Sequence, residues 1–119
     1  MARVNIENGQ LVISMKGARK FFAFKNEISI PLSNVIGVTS GLEWNDLPDL
    51  LERVSAGSNI PGFYYGGTFA QDGDKVFYDI KKKEEAVIIM LKDEDIERIV
   101  IGVDDPVAII EYIEKSINK

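Results

Sequence analysis

The chain has 119 residues, 45% of them hydrophobic and 28% charged, with a net charge of −5 and neither cysteine nor histidine. That length supports one domain, residues 1–119, with a core large enough to need no staples. The acidic balance argues against a general nucleic-acid binder, which carries a basic excess. Without cysteine, disulfides, thiolate chemistry and cysteine-held zinc are excluded, and without histidine the commonest general base and transition-metal ligand is missing. No apolar run approaches the roughly 18–20 residues of a membrane span, and residues 1–5 do not lead into the apolar stretch of a signal peptide. These features fit a cytoplasmic protein with no cofactor and no bound metal, and they lower the expectation of catalysis.

Residues 3–7 alternate, with Val4 and Ile6 on one face, and Asn8-Gly9 is a two-residue hairpin signal because a type I′ turn needs positive φ at both positions. The return strand points Leu11, Ile13 and Met15 together. Residues 18–24 read as a turn leading into a strand at 27–30, which Pro31 stops or confines to an edge. Ser33-Asn34 makes a brief turn, and 35–42 resumes as a strand. A short helix is expected at 46–53, capped by Asp46, followed by a loop at 55–62 rich in Ser, Gly, Asn and Pro. The next strand, 63–69, is aromatic with Gly66-Gly67 at its centre. Asp72-Gly73 forms the apex of a second hairpin, and 75–80 returns with Val76, Tyr78 and Ile80 on one face and Phe77 on the other.

The last third is the most legible stretch. Residues 86–91 are apolar throughout, as in a strand covered on both faces. After the acidic turn 92–95, the strand 98–103 points Ile99, Ile101 and Val103 one way. Asp105 stands at a helix N-cap with Pro106 at the first helical position, where its missing N–H costs nothing. Ile109, Ile110, Ile113 and Ile117 then form one stripe, which needs a hydrophobic surface to cover. The expected architecture is mainly β: seven or eight antiparallel strands closed into a barrel or sandwich, with one C-terminal helix.

This order resembles the pleckstrin-homology (PH) superfold, and the chain looks like small uncharacterised bacterial PH-like proteins. The resemblance rests on the hairpin opening, Ile30-Pro31-Leu32-Ser33-Asn34-Val35, Gly66-Gly67-Thr68-Phe69, Ala86-Val87-Ile88-Ile89-Met90-Leu91-Lys92-Asp93-Glu94 and Val103-Asp104-Asp105-Pro106. It spans almost the whole chain, and its motifs are structural rather than catalytic. It implies an antiparallel barrel of about seven strands capped by the helix and used as a binding scaffold: a non-catalytic interaction module for a protein or peptide partner, or for a second copy of itself. PH domains that bind phosphoinositides carry a basic pocket in the loop after the first strand, whereas here that loop is Asn8-Gly9, without Lys or Arg. Strong membrane binding is therefore not expected. A small-ligand or lipid-headgroup barrel is the alternative, and a carboxylate-based enzyme a second one.

The candidate partner site is Trp44 with Tyr64, Tyr65, Gly66 and Gly67, since large rings beside glycines often anchor partners. The same residues also suit barrel closure, with rings filling the interior and glycines allowing the strand to coil. Lys81, Lys82 and Lys83 form the one basic run, either a contact for an anionic surface or a solvated turn that discourages edge aggregation. Asp93, Glu94, Asp95 and Glu97 cluster without the spacing of an EF-hand loop. For catalysis the least unsuitable set is Asp72 and Asp74 beside Tyr64 or Tyr65, at a hairpin apex that desolvates them poorly.

Overall fold

The computed structural model describes residues 2–15, 27–42, 44, 52–60, 64–71 and 73–117. They form nine strands and a C-terminal helix: β1 (Arg3–Glu7), β2 (Gln10–Ser14), β3 (Glu27–Pro31), a 3₁₀ turn (Leu32–Asn34), β4 (Val35–Ser40), β5 (Glu52–Ile60), β6 (Tyr64–Gln71), β7 (Asp74–Lys81), β8 (Glu85–Leu91), β9 (Arg98–Val103) and α1 (Pro106–Ile117). Two open sheets result, one ordered β1-β2-β3 and one ordered β4-β8-β9-β7-β6-β5. The mainly β class with a terminal helix is as expected. The single closed antiparallel barrel is not what the described strands form.

The opening hairpin is built as the sequence dictates. Glu7 pairs with Gln10 across Asn8 and Gly9, both at positive φ. Pro31 lies opposite Gln10 on the edge strand β3, where a missing N–H leaves no ladder bond unmade. The free edge of β1 is closed differently: the Tyr112 hydroxyl of α1 accepts the Ile6 N–H at 3.0 Å. β4 is an edge strand with a bulge between Val35 and Gly37, which throws Ile36 out to solvent. Gly41, at φ +99°, follows its end, two residues before the strand limit expected from sequence.

Two corrections concern the middle of the chain. Residues 45–51, most of the expected helix at 46–53, lie outside the described residues, but Glu52 and Arg53 belong to β5. The expected loop at 55–62 is strand as far as Ile60, pairing with β6 through Ile60↔Tyr64. Ser, Gly and Asn are poor strand formers, and ladder pairing with an aromatic neighbour overrides that preference. The third correction is topological. β9 lies parallel to β7, Val76↔Arg98 to Asp79↔Ile101, and antiparallel to β8, so the last strand is inserted between two that precede it.

The faces of the large sheet separate cleanly. Phe77, Val87, Ile89, Ile99 and Ile101 point to one side and are buried against Leu11, Ile13, Ile28 and Ile30 of the small sheet and Ile113 of α1. Ile109, Ile110 and Ile117 pack on the same cluster, so the helical stripe read from sequence is the surface that covers it. Asp105 caps the helix, its Oδ1 accepting the Ala108 N–H at 3.1 Å. The opposite face carries Tyr65, Phe69, Val76, Tyr78, Ile80, Ala86 and Val100, with Leu42, Trp44 and Ile88 packed at its margin.

Candidate functional site

The second face is an aromatic chain that runs from the core to the surface. Phe69 meets Tyr78 edge to face at 5.9 Å between centroids, Tyr65 lies 6.0 Å from Phe69 and 5.9 Å from Tyr78, and Trp44 tilts onto Tyr65 at 5.3 Å. These separations are favourable for ring quadrupoles. Tyr78 is almost completely buried, and burial pushes its phenol up to about 12; the Arg98 charge pulls the other way, and Tyr65 adds to the rise. Arg98 is also engaged by Asp74, Nη1 to Oδ2 at 2.9 Å. Trp44, only partly buried, is where the chain of rings reaches solvent.

Beside Trp44 the surface opens into a recess of about 270 Å³ lined by Ser40, Gly41, Leu42, Trp44, Lys82, Glu84, Glu85, Ala86 and Pro106. Its walls come from three places that the topology brings to one end: the exit of β4, the turn between β7 and β8, and the first residue of α1. Gly102 of β9 sets the turn. A Cβ there would lie 2.7 Å from Glu84 Cβ, so only glycine lets Glu84 fold over the strand. Glu84 then closes the turn from both ends: its N–H donates to Lys81 O at 3.0 Å, and its Oε1 accepts the Lys81 N–H at 2.9 Å. The carboxylate that results is fixed in place, whereas Lys82 and Glu85 are exposed at the rim.

The residues singled out from sequence divide between site and core. Trp44 lines the recess, and so does Lys82 from the basic turn. Lys81 and Lys83 are exposed on the same turn without lining it. Tyr64 and Tyr65, neighbours on one strand, point to opposite faces of the sheet and both are buried, so neither is open to a partner as the candidate partner site would need. Tyr65 supports Trp44 from below. Tyr64 lies along its own strand over Gly66, whose absent side chain is replaced by the tyrosine ring, and donates from its hydroxyl to Asp79 Oδ1 at 2.7 Å. Gly66 thus admits an intramolecular ring rather than a partner's backbone. Gly67 sits at φ +108° opposite Gly57, a backbone position that favours glycine.

Asp72 lies outside the described residues, and Asp74 pairs with Arg98 at the end of the β6–β7 ladder opposite Tyr64, which aligns with Lys81. The acidic turn is likewise spent on separate partners: Glu94 accepts from Asn34 Nδ2, Asp95 pairs with Lys75 at 3.1 Å, and Glu97 accepts the Lys75 N–H. Among the described residues no three acidic side chains are grouped to hold a metal.

Sequence reasoning missed Asp79 and Glu84. A carboxylate in the alternating run 75–80 falls on the Phe77 face, and that parity was a readable sign of a buried acid. Gly102 inside an apolar strand signalled close approach by something, without saying what. No family model, curated protein or solved structure matches the chain. Among the described residues no helix is long and apolar enough to cross a membrane.

Proposed function

We propose that this chain is a PH-like, non-catalytic interaction module that docks a protein or peptide partner at the Trp44 recess. What carries the reading is that recess: a tryptophan, supported by a buried ring, beside a side-chain-sized hollow with both apolar and charged walls. Anchoring pockets at interfaces have this make-up. Its volume of about 270 Å³ falls just under the roughly 300–1,000 Å³ of pockets that enclose a whole small molecule. A single side chain presented by a larger partner suits it better. The lack of cysteine and histidine supports the non-catalytic part and fits a reducing, cytoplasmic setting. The PH-like part rests on the sequence resemblance and on a β-rich chain that ends in one helix.

The test is capture from the native host with the wild-type chain, a Trp44→Leu variant and a Lys81/Lys82/Lys83→Ala variant. A partner retained by the triple variant and lost with Trp44→Leu, while both variants unfold at wild-type temperature within a few degrees, is the expected result. A partner insensitive to Trp44→Leu places recognition elsewhere. Headgroup binding is the second reading, because Lys82 stands on the recess rim. Glu84 and Glu85 share that rim and the first loop has no basic residue, so vesicles containing phosphatidylserine are expected not to retain the protein at physiological salt. Salt-sensitive sedimentation lost in the triple variant would reverse the order of the two readings.

A further inference from the structure

We infer that the outer edge of β3 takes up an extended segment of a partner polypeptide in which basic and apolar residues alternate. β3 ends the three-stranded sheet, so one of its sides has no partner strand among the described residues. The register says which groups are left over. Leu32 donates its N–H to Gly9 O at 3.0 Å, and main-chain groups alternate sides along an antiparallel strand. Ile28 and Ile30 therefore bond to β2, while Ser29 turns both its N–H and its C=O away from the sheet. A hollow of about 320 Å³ lies against this edge, between residues 27–30 of β3 and Glu94, Asp95 and Ile96 of the β8–β9 turn. Four consecutive residues line it although their side chains alternate, so it follows the main chain rather than one face. They span about 10 Å, room for roughly three or four residues of a paired strand. The hollow shares no residue with the Trp44 recess.

The two faces of β3 set the pattern of the segment. Ile28 and Ile30 are buried on the core side, where Ile96 also packs, whereas Glu27 and Ser29 are exposed on the other. A strand laid beside β3 sends alternate side chains to those two faces. The charges set the sign. Glu27, Glu94 and Asp95 line the hollow and, among the described residues, no lysine or arginine does. Lys75 offsets Asp95, but Glu94 is bonded to the Asn34 amide, which is neutral and leaves its charge in place. Pairing with β3 of a second copy brings two acidic rims together, and like charges across a strand pair are destabilising. An acidic segment is disfavoured for the same reason.

The intact chain is titrated with three acetylated, amidated hexapeptides: Lys-Val-Lys-Val-Lys-Val, Glu-Val-Glu-Val-Glu-Val, and the lysine peptide with every amide N-methylated. The plain lysine peptide is expected to shift the Ser29 amide resonance in a saturable, salt-sensitive way and to slow its hydrogen exchange. The other two should bind at least about tenfold more weakly, one for charge and one for its lost main-chain donors. Ser29→Pro removes an N–H that β2 does not use, so it should keep the fold and abolish binding. Glu27→Lys, at an exposed position, should weaken binding about two- to fivefold and serves if the proline variant does not fold. Equal saturation by the glutamate or N-methylated peptide overturns the inference, as does a response confined to the Trp44 indole or no saturable response with the fold intact. A concentration-dependent dimer that Ser29→Pro abolishes assigns the edge to a second copy and overturns it too.

Discussion

The two faces of the six-stranded sheet are built from different chemistry and end in different places. One is largely aliphatic, sealed by the small sheet and by the isoleucine stripe of α1, and stops in the interior. The other is aromatic, stacked ring upon ring, and comes to the surface at Trp44. The first face holds the fold together. The second also holds it but carries its rigidity outward to a single ring beside a recess. For the docking role proposed for Trp44, support from behind matters, because an unsupported side chain pays rotamer entropy on binding. Tyr65 gives that support.

Substitutions that strike one face and spare the other sharpen this contrast. The largest effect is expected from Phe77→Ala. Phe77 is completely buried on the aliphatic side, and chemical denaturation should record a loss of about 3–5 kcal/mol. A loss under about 1 kcal/mol would mean that this face is not the structural one.

Next is an alkaline limb that belongs to the aromatic side. The Tyr78 phenol titrates near 10 when unfolded and is raised to about 12 in the fold. Between those values the unfolded chain has released a proton that the native chain retains, so stability falls as pH rises from 10 to 12. The full loss is about 3 kcal/mol. Unfolding curves across that window should show the decline, and Tyr78→Phe should flatten it.

Smaller again is Trp44→Leu, which removes the outermost ring contact and should cost about 1 kcal/mol of stability while abolishing partner capture. Smallest is Lys83→Ala, on an exposed turn position outside the recess. It should leave thermal stability within about 0.5 kcal/mol and leave capture unchanged.

Local signals were legible wherever one residue's chemistry decides its conformation. Asn8-Gly9, Asp105-Pro106 and the isoleucines of α1 are such cases. Period-two alternation placed Phe77 against Val76 and Tyr78 correctly because both faces of β7 are apolar and distinct. β5 was misread because Ser, Gly and Asn carry no strand signal of their own; its state is imposed by β6. The parallel β7–β9 pair was not legible, since alternation is identical whichever neighbour a strand acquires. Trp44 was singled out by residue type, and it lines the recess proposed for docking. The tyrosines were singled out for the same reason; Tyr65 lies against Trp44, and Tyr64 is buried on the opposite face of the sheet. Glu84 became visible only once Gly102 was seen beneath it.

The placement of β9 bears on how the chain is made. β9 lies in the interior of the large sheet, between β7 and β8, yet it is the last strand in the chain. Until residues 98–103 have left the ribosome, β7 and β8 have no partner on their facing sides, and the gap between them is one strand wide, about 10 Å from β7 to β8. Such a slot is a template for any extended segment nearby, including the same strand from a neighbouring nascent chain. Strand exchange through β9 is therefore the characteristic misassembly expected of this fold. A chain ended before Arg98 should therefore form dimers and aggregates, while the chain that includes β9 and α1 should not.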